Sequence, residues 1–459
     1  MKILLIAANN RAQGEPSLGI GYLASYLKKY LPEIGISIKI MNYIPKDLSK
    51  IIKFSPDIIG ISALTKQYKN AILFAREIKK TLNAPIIIGG HHLSMAPHSF
   101  DPVFDLAVLG EGEQTFLEFI KYFARNGLKN DGLGNIKGLM YRKDGKIITT
   151  EKRELIEPLD NIPYPARELF NMEFMLDEKK NVFGQSFGRG THMFTSRGCP
   201  FKCVFCSASA FWKKIRYNSP EYVIGEMNEL INKYKVKLIH VYDDLFPANK
   251  KRLGEIVEMI KKEGINKKVD FGMFGRADIF DEETCRLLKE MNTVFIEFGI
   301  ESGTQKVLDF LKGGRIKIKQ IEGSIALCKK YGITTGGTFI IGTPGETEEE
   351  MLQTLKFIKK LSLDKFSFFT LSPYPGTPLW DYAVKEGILP KDVNWDTFEM
   401  KKIEKLREDD ILYNSGQILI DKSISPKRFV EIFNLFEKER TKLYDYKWDE
   451  AIAEEEPDS

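Results

Sequence analysis

The 459-residue chain is poor in cysteine and histidine, with five of each, and it has no apolar run near the roughly 18 residues a membrane-spanning helix needs. The opening Met1-Lys2-Ile3-Leu4-Leu5-Ile6-Ala7-Ala8 is apolar but meets Asn9-Asn10-Arg11 at once. That is too short for a secretory segment and suits a buried strand. An odd number of cysteines, three of them within eight residues, excludes a disulfide scaffold. There is no Gly-x-Gly-x-x-Gly fingerprint, no P-loop, no internal repeat and no low-complexity tract. Charge of one sign is also lacking: 68 basic against 63 acidic residues leave +5, spread along the chain, which gives no footprint for nucleic acid. What is present, 43% apolar and 29% charged residues, is ordinary globular composition for about three domains. The expectation is a soluble, cytoplasmic protein with neither a membrane span nor a nucleic-acid partner.

Apolar runs at 3–8, 36–41, 58–62, 85–88 and 106–109 have the length and branching of buried parallel strands, and helix-period segments at 19–31, 68–82 and 114–124 separate them. This rhythm predicts a doubly wound, Rossmann-like α/β domain over 1–125, whose ligands sit at the carboxyl ends of the strands. Residues 126–190 read as a linker carrying a β-hairpin, turned at Asp144-Gly145 and followed by Pro158, Pro163 and Pro165. A second series over 191–385 has strand-like runs at 193–195, 238–242, 269–273, 294–299, 338–341 and 366–371, with helical segments at 220–234, 251–262, 282–291, 316–331 and 347–361. Six β-α repeats fall two short of a closed barrel, so a partial (β/α)6 TIM-type barrel is expected, with reacting groups at its strand carboxyl ends. Residues 386–459 lose the rhythm and read as a small, mainly helical extension.

The chemistry is concentrated in Cys199-Pro200-Phe201-Lys202-Cys203-Val204-Phe205-Cys206, directly after the first barrel strand. Structural zinc wants a fourth Cys or His, commonly as paired C-x-x-C units, and the chain has no second pair. Three thiolates on one tight loop fit three corners of a cubic 4Fe–4S cluster, leaving the fourth iron open for a ligand. Cys285 and Cys328 stand alone in helix-like segments and read as buried structural thiols.

With Thr195-Ser196-Arg197-Gly198 before it, this loop resembles the cluster motif of the radical S-adenosylmethionine (SAM) superfamily, and the resemblance runs through the barrel in order. It implies that Cys199, Cys203 and Cys206 bind the cluster. Asp243-Asp244 would meet the methionyl amino group and Arg276 the methionyl carboxylate. Glu301 and Ser302 would lie near the ribose and carboxylate, Gly342 in Ile340–Glu346 would pass the adenine, and Tyr374 would follow the sixth strand. Each has a plainer reading alone: Asp243-Asp244 as a helix cap, Glu301 as a surface carboxylate, Arg276 in an ion pair with Asp278 or Asp281. Phe211, Trp212 and Tyr217 would wall the site or pack in the core.

The amino-terminal segments Pro16–Leu23, Gly60–Leu64, Gly89-Gly90-His91-His92 and Leu109–Glu113 resemble the cobalamin-binding domain fused to many members of that superfamily. The resemblance implies cobalamin contacts from Ser62, Leu64, Thr65, Gly89, Gly90, His91, Glu111 and Gly112. The D-x-H-x-x-G element that supplies a lower-face histidine is absent, since the loop reads Asn9-Asn10-Arg11-Ala12-Gln13-Gly14. The family reading is a cobalamin-dependent radical SAM enzyme that methylates an unactivated carbon or phosphorus centre through methylcobalamin and a 5′-deoxyadenosyl radical. Its electron donor would be a ferredoxin or flavodoxin. A non-methylating reaction such as that of the anaerobic oxidative cyclases stays open, as does a redox sensor without turnover. A peptide, lipid, tetrapyrrole or small metabolite are all open as substrate.

Overall fold

The computed structural model describes residues 1–9, 15–129, 131–176, 189–390, 392–395 and 424–443. They fall into two compact units, the first built on residues up to 176 with 394–395, the second on residues 189–393 with 424–443.

The first unit is a seven-stranded sheet in the order β2-β1-β3-β4-β5-β6-β7. Its parallel part comprises β1 (Lys2–Ala7), β2 (Ser37–Met41), β3 (Ile58–Ser62), β4 (Ile86–Gly89) and β5 (Leu106–Val108). Helices on both faces bury these strands, which is why Leu4, Ile59 and Ile88 read as unbroken apolar runs. The order reverses between β1 and β3, so a ligand crevice lies beyond their carboxyl ends, at Ala8-Asn9 and Ser62–Leu64. The hairpin expected in a linker instead completes this sheet. β6 (Leu139–Lys143) pairs antiparallel with β5, and β7 (Lys146–Thr149) pairs with β6. Leu139, Met140 and Tyr141 are apolar and buried, and an isolated two-stranded hairpin has no surface to bury them against. Its turn holds Asp144 at φ 50° and Gly145 at φ 74°, the left-handed pair a two-residue hairpin favours.

The second unit is a six-stranded parallel sheet in the order β15-β14-β13-β12-β11-β8. In chain order these strands are β8 (Gly190–Met193), β11 (Leu238–Val241), β12 (Asp270–Gly275), β13 (Thr293–Glu301), β14 (Thr334–Ile341) and β15 (Lys365–Thr370). The two short strands β9 (Ser196–Arg197) and β10 (Arg216–Tyr217) pair antiparallel around the cysteine loop. As expected, Ser219 caps the helix Pro220–Tyr234, accepting from the Tyr222 N–H, with Pro220 in its first turn. β14 starts four residues earlier than the periodicity indicated because Gly336-Gly337 lie inside it. A Cβ at Gly336 would come within 2.9 Å of the Phe295 ring, and one at Gly337 within 2.7 Å of Leu363, so packing demands glycine where β propensity disfavours it. A helix the sequence reading missed, Gln305–Lys312, ends at Gly313 with φ 72°. The helix Pro426–Leu443 lays Phe433 and Phe436 on Phe368 of β15, at centroid distances of 4.8 and 5.3 Å. Most of the remaining 386–459 extension lies outside the described residues. No helix among the described residues is long and apolar enough to cross a membrane.

Candidate active site and cofactor clefts

The cysteine loop leaves β8 through Thr195-Ser196, and Asp243, at the end of β11, fixes that exit. The Thr195 and Ser196 N–H groups donate to Asp243 Oδ1 at 2.5 and 3.1 Å, and their hydroxyls donate to Oδ2 at 2.6 and 2.7 Å. Burial pushes the Asp243 carboxyl up, against four hydrogen bonds that favour its ionised form. Both Asp243 oxygens thus brace the exit of the cysteine loop. Asp244 is the carboxylate that faces the cysteines: it accepts from the Gly198 N–H, and its charge raises the Cys199 and Cys206 thiols. Burial, with Asp243 adding to it, lifts Asp244 to about 6. Gly198 has φ 100°, and a Cβ there would sit 2.7 Å from the Lys214 carbonyl, so this turn needs glycine.

The loop is pinned at its midpoint. The Val204 N–H donates to the Leu311 carbonyl at 3.0 Å, and the Val204 carbonyl accepts from the Leu379 N–H at 3.0 Å. Cys199, Cys203 and Cys206 are all half-buried free thiols, and burial lifts Cys199 to about 11 and raises Cys206. Arg276, at the end of β12, donates from Nη1 to Cys203 Sγ at 3.4 Å and from Nε to Asp278 at 2.8 Å. Of the two plain ion-pair partners, Asp278 is the one found. Asp281 instead caps the helix Glu282–Glu290 and pairs with Lys250.

At the end of β13, Glu301 sits at φ 70°, a conformation disfavoured outside glycine, and forms a buried ion pair with Lys312 at 3.0 Å. Lys312 Nζ also donates to the Gly299 carbonyl at 2.6 Å, and a Cβ on Gly299 would collide with Glu301 Oε1 at 2.8 Å. Ser302 is fully buried, with its hydroxyl shared among Thr304 and Thr354. Gly342, at φ 82° beyond β14, donates its N–H to Glu346 Oε2 at 2.9 Å, as does Thr343. Burial raises the Glu346 carboxyl to about 7, and its Oε1 is buried without a partner. Tyr374 is half-buried in the turn before Thr377, whose hydroxyl donates to the Tyr374 carbonyl at 2.6 Å. Phe211 packs on Trp212 at 4.5 Å, Trp212 lies against Arg197 and Arg216, and Tyr217 lies against Arg252. Cys285 and Cys328, far apart in sequence, are side by side and fully buried. Their mutual hydrogen bond pushes the Cys328 thiol up.

The first unit presents a different surface. Ser62 ends β3 in register with Ala7 and Gly89. Gly90, at φ 101°, approaches so closely that a Cβ would lie 2.6 Å from the Ala63 carbonyl. Leu64 leaves 47% of its surface exposed at the switch point. Its N–H donates to Gln67 Oε1, and Gln67 Nε2 in turn donates to Asn9. Asn9 also donates to the Asn42 carbonyl at 2.9 Å; residues 10–14 of the loop that lacks the lower-face histidine lie outside the described residues. Thr65 is expected on the ligand, yet its hydroxyl lies 3.2 Å from His92 Nδ1. The other His92 nitrogen meets Ser99, and its ring packs between Tyr68 and Trp395, so this histidine belongs to the core. His91, first residue of the short helix His91–Met95, is held neutral by burial at about 4. Glu111 accepts from the Ile156 N–H at 2.9 Å, and Gly112 opens the helix Gly112–Asn126, where a Cβ would press on Leu23 at 3.2 Å.

A model of the radical SAM superfamily matches residues 193–358, and one of the B12 binding domain matches residues 4–120. An uncharacterised methyltransferase of Pyrococcus horikoshii is 38% identical over 86% of this chain and 85% of its own length. The chain belongs to the cobalamin-binding radical SAM family. A cytidylyl-2-hydroxyethylphosphonate methyltransferase of Streptomyces wedmorensis is 28% identical over 81% of this chain and 78% of its own. The fold is also that of the radical SAM methyltransferase TsrM of Kitasatospora setae, with TM-score 0.67 and 17% identity over 85% of this chain and 77% of that one.

The family's cofactors are a 4Fe–4S cluster, SAM and cobalamin, and the side chains present fit them. Cys199, Cys203 and Cys206 are three free thiols on one loop, the ligand number a cluster with an open iron needs. The unpartnered Arg276 Nη2, buried beside Cys203, leaves a cationic donor for an anionic ligand. The Gly90 turn packs directly on the Ala63 backbone beside Ser62, at the carboxyl ends of the strands. Lys312, which holds Glu301, carries no mark in the sequence. A lysine in a charged helix has no signature that separates it from a surface one.

Proposed function

We propose that the protein is a methyltransferase acting on an unactivated carbon, or on phosphorus, in a substrate that is a peptide, lipid, tetrapyrrole or small metabolite. The observation that carries this reading is the pairing, in one chain, of a three-thiol loop braced by Asp243 and Arg276 with a glycine-turned cleft at the β1/β3 switch point. The 38% identical relative, a methyltransferase, supports methyl transfer, and the phosphonate relative supports phosphorus as a second kind of acceptor.

When bound, the cluster and SAM supply a 5′-deoxyadenosyl radical, and cobalamin supplies a methyl carrier. Asp244 accepts a hydrogen bond from the methionyl ammonium, and the remaining donor of Arg276 takes the methionyl carboxylate. Glu301, held by Lys312, orients the ribose. The Gly342 turn leaves backbone beside the adenine. Ser62, Leu64, Gly89 and Gly90 line the corrin cleft, with the exposed Leu64 side chain excluding water from its face. A low-potential ferredoxin or flavodoxin in the cytoplasm supplies the electron.

The test is anaerobic incubation of the reconstituted chain with reductant and SAM, with and without hydroxocobalamin, followed by mass spectrometry of the nucleosides. The expected result is 5′-deoxyadenosine in both cases and S-adenosylhomocysteine only with cobalamin. 5′-Deoxyadenosine alone would replace methyl transfer by an oxidative radical reaction. Neither product from a chain with a spectroscopically intact cluster would leave a sensor.

A further inference from the structure

Among the described residues Arg276 meets, through its side chain, Asp278, Phe201 and Cys203, and the last two belong to the cysteine loop. Its side chain is 7% exposed and that of Asp278 10%, so the 2.8 Å ion pair between them is little screened by water. The guanidinium carbon lies 3.8 Å from the centroid of the Phe201 ring, and Phe201 is inside the Cys199–Cys203 spacer. Nη1 donates to Cys203 Sγ at 3.4 Å. The planar fork is thus clamped by a carboxylate at Nε and an aromatic face beneath. That clamp aims one N–H at a sulfur and leaves Nη2 buried and unpartnered.

Of the three cysteines, Cys203 is the one whose sulfur the guanidinium reaches. A cluster gains one negative charge on reduction, and hydrogen bonds to its sulfurs stabilise the more negative state. A guanidinium fixed against one ligating sulfur favours the reduced form in the same way, and burial keeps that effect large.

We infer that Arg276 is a positioning residue that sets the reduction potential of the cluster, holding the Cys203 sulfur through Nη1 while Phe201 and Asp278 orient it. This goes beyond a role for Arg276 on SAM and rests on the cluster assignment above. The electron itself comes from the external donor, and no bond to Arg276 forms or breaks.

The test uses the full chain reconstituted with iron and sulfide, without SAM or substrate, titrated electrochemically with the reduced cluster followed by electron paramagnetic resonance. Arg276→Met keeps all three cysteines. At a fixed potential its ratio of reduced to oxidised cluster is expected to fall about tenfold, which is about 59 mV for one electron. Arg276→Lys keeps the charge but loses the planar fork, and should fall between Arg276→Met and wild type. Asp278→Asn keeps an acceptor for Nε, and so the orientation, but removes the opposing charge, and should shift the ratio the other way. Phe201→Leu, which loosens the guanidinium, should follow Arg276→Met by a smaller factor. An Arg276→Met chain with full iron content, the wild-type potential and an unchanged signal would overturn the inference. If both Arg276 variants lose iron, unchanged potentials in Asp278→Asn and Phe201→Leu overturn it, and opposite shifts support it. A wild-type chain that takes up no cluster would sink the cofactor assignment instead, and the iron and sulfide analysis separates that failure from the other.

Discussion

The mouth of the six-stranded sheet and the cleft of the seven-stranded sheet both lie at strand carboxyl ends, yet they are built from opposite materials. At the first, charged side chains are buried and tied to one another: Asp243 to Thr195 and Ser196, Arg276 to Asp278, Glu301 to Lys312. At the second, the wall is backbone, glycine and one exposed leucine, and the nearby polar side chains His92, Thr65 and Asn9 are spent on the fold. The mouth must hold charge at fixed points, which calls for preorganised ion pairs. The glycine of the cleft is demanded by neighbouring backbone, since a Cβ on Gly90 would meet the Ala63 carbonyl at 2.6 Å. Substitution should therefore hurt through lost charge in one and through added volume in the other.

The largest effect expected is Cys203→Ala, which removes a cluster corner. Iron content should drop and 5′-deoxyadenosine formation should vanish; a fully loaded variant would show that this thiol is not a ligand. Next, Lys312→Met leaves the Glu301 carboxylate buried without its cation and should cost about 3–5 kcal/mol in denaturant unfolding. The double variant Lys312→Met/Glu301→Gln should recover most of that. A single variant that costs under about 1 kcal/mol would mean the ion pair is not what holds this mouth together.

Glu346 sharpens the same contrast through pH. Its folded carboxyl, lifted by burial to about 7, binds a proton that the unfolded chain releases near 4.5. Stability contributed by the protonated form is therefore present at low pH and lost as pH rises through about 7, with an upper bound of about 3 kcal/mol. Glu346→Gln should flatten the unfolding free energy across that window, and a slope equal to wild type would refute the assignment. The smallest effect belongs to the cleft. Gly90→Ala should cost about 2 kcal/mol through its left-handed backbone and its collision with Ala63. It should also weaken hydroxocobalamin binding, read by absorbance, while leaving iron content untouched. Unaltered corrin binding would remove this turn from the cleft wall.

Where the sequence was legible follows the same division. The spacing of Cys199, Cys203 and Cys206 marks the mouth because chemistry fixes both residue type and separation. The strands β1 and β4 stand out because burial on two faces forces continuous apolar runs. The glycines of the cleft were visible, but which neighbouring side chains serve a ligand was not. Thr65 and Ser302 carry hydroxyls in the expected places, and only packing reveals that His92, Thr304 and Thr354 already engage them. Lys312 and the adjacency of Cys285 and Cys328 were invisible for a related reason, since each contact joins elements distant in the chain.

By itself the sequence determined two alternating α/β series, a three-thiol loop after a strand, and glycines where the backbone turns left-handed, because each is a local consequence of burial period or backbone sterics. Tertiary structure alone decided that the hairpin joins the first sheet, that Asp244 rather than Asp243 faces the cysteines, and that the Arg276 guanidinium reaches Cys203. Those outcomes turn on which buried charge finds which partner across the sheet, a choice made by desolvation and geometry rather than by any neighbour in sequence.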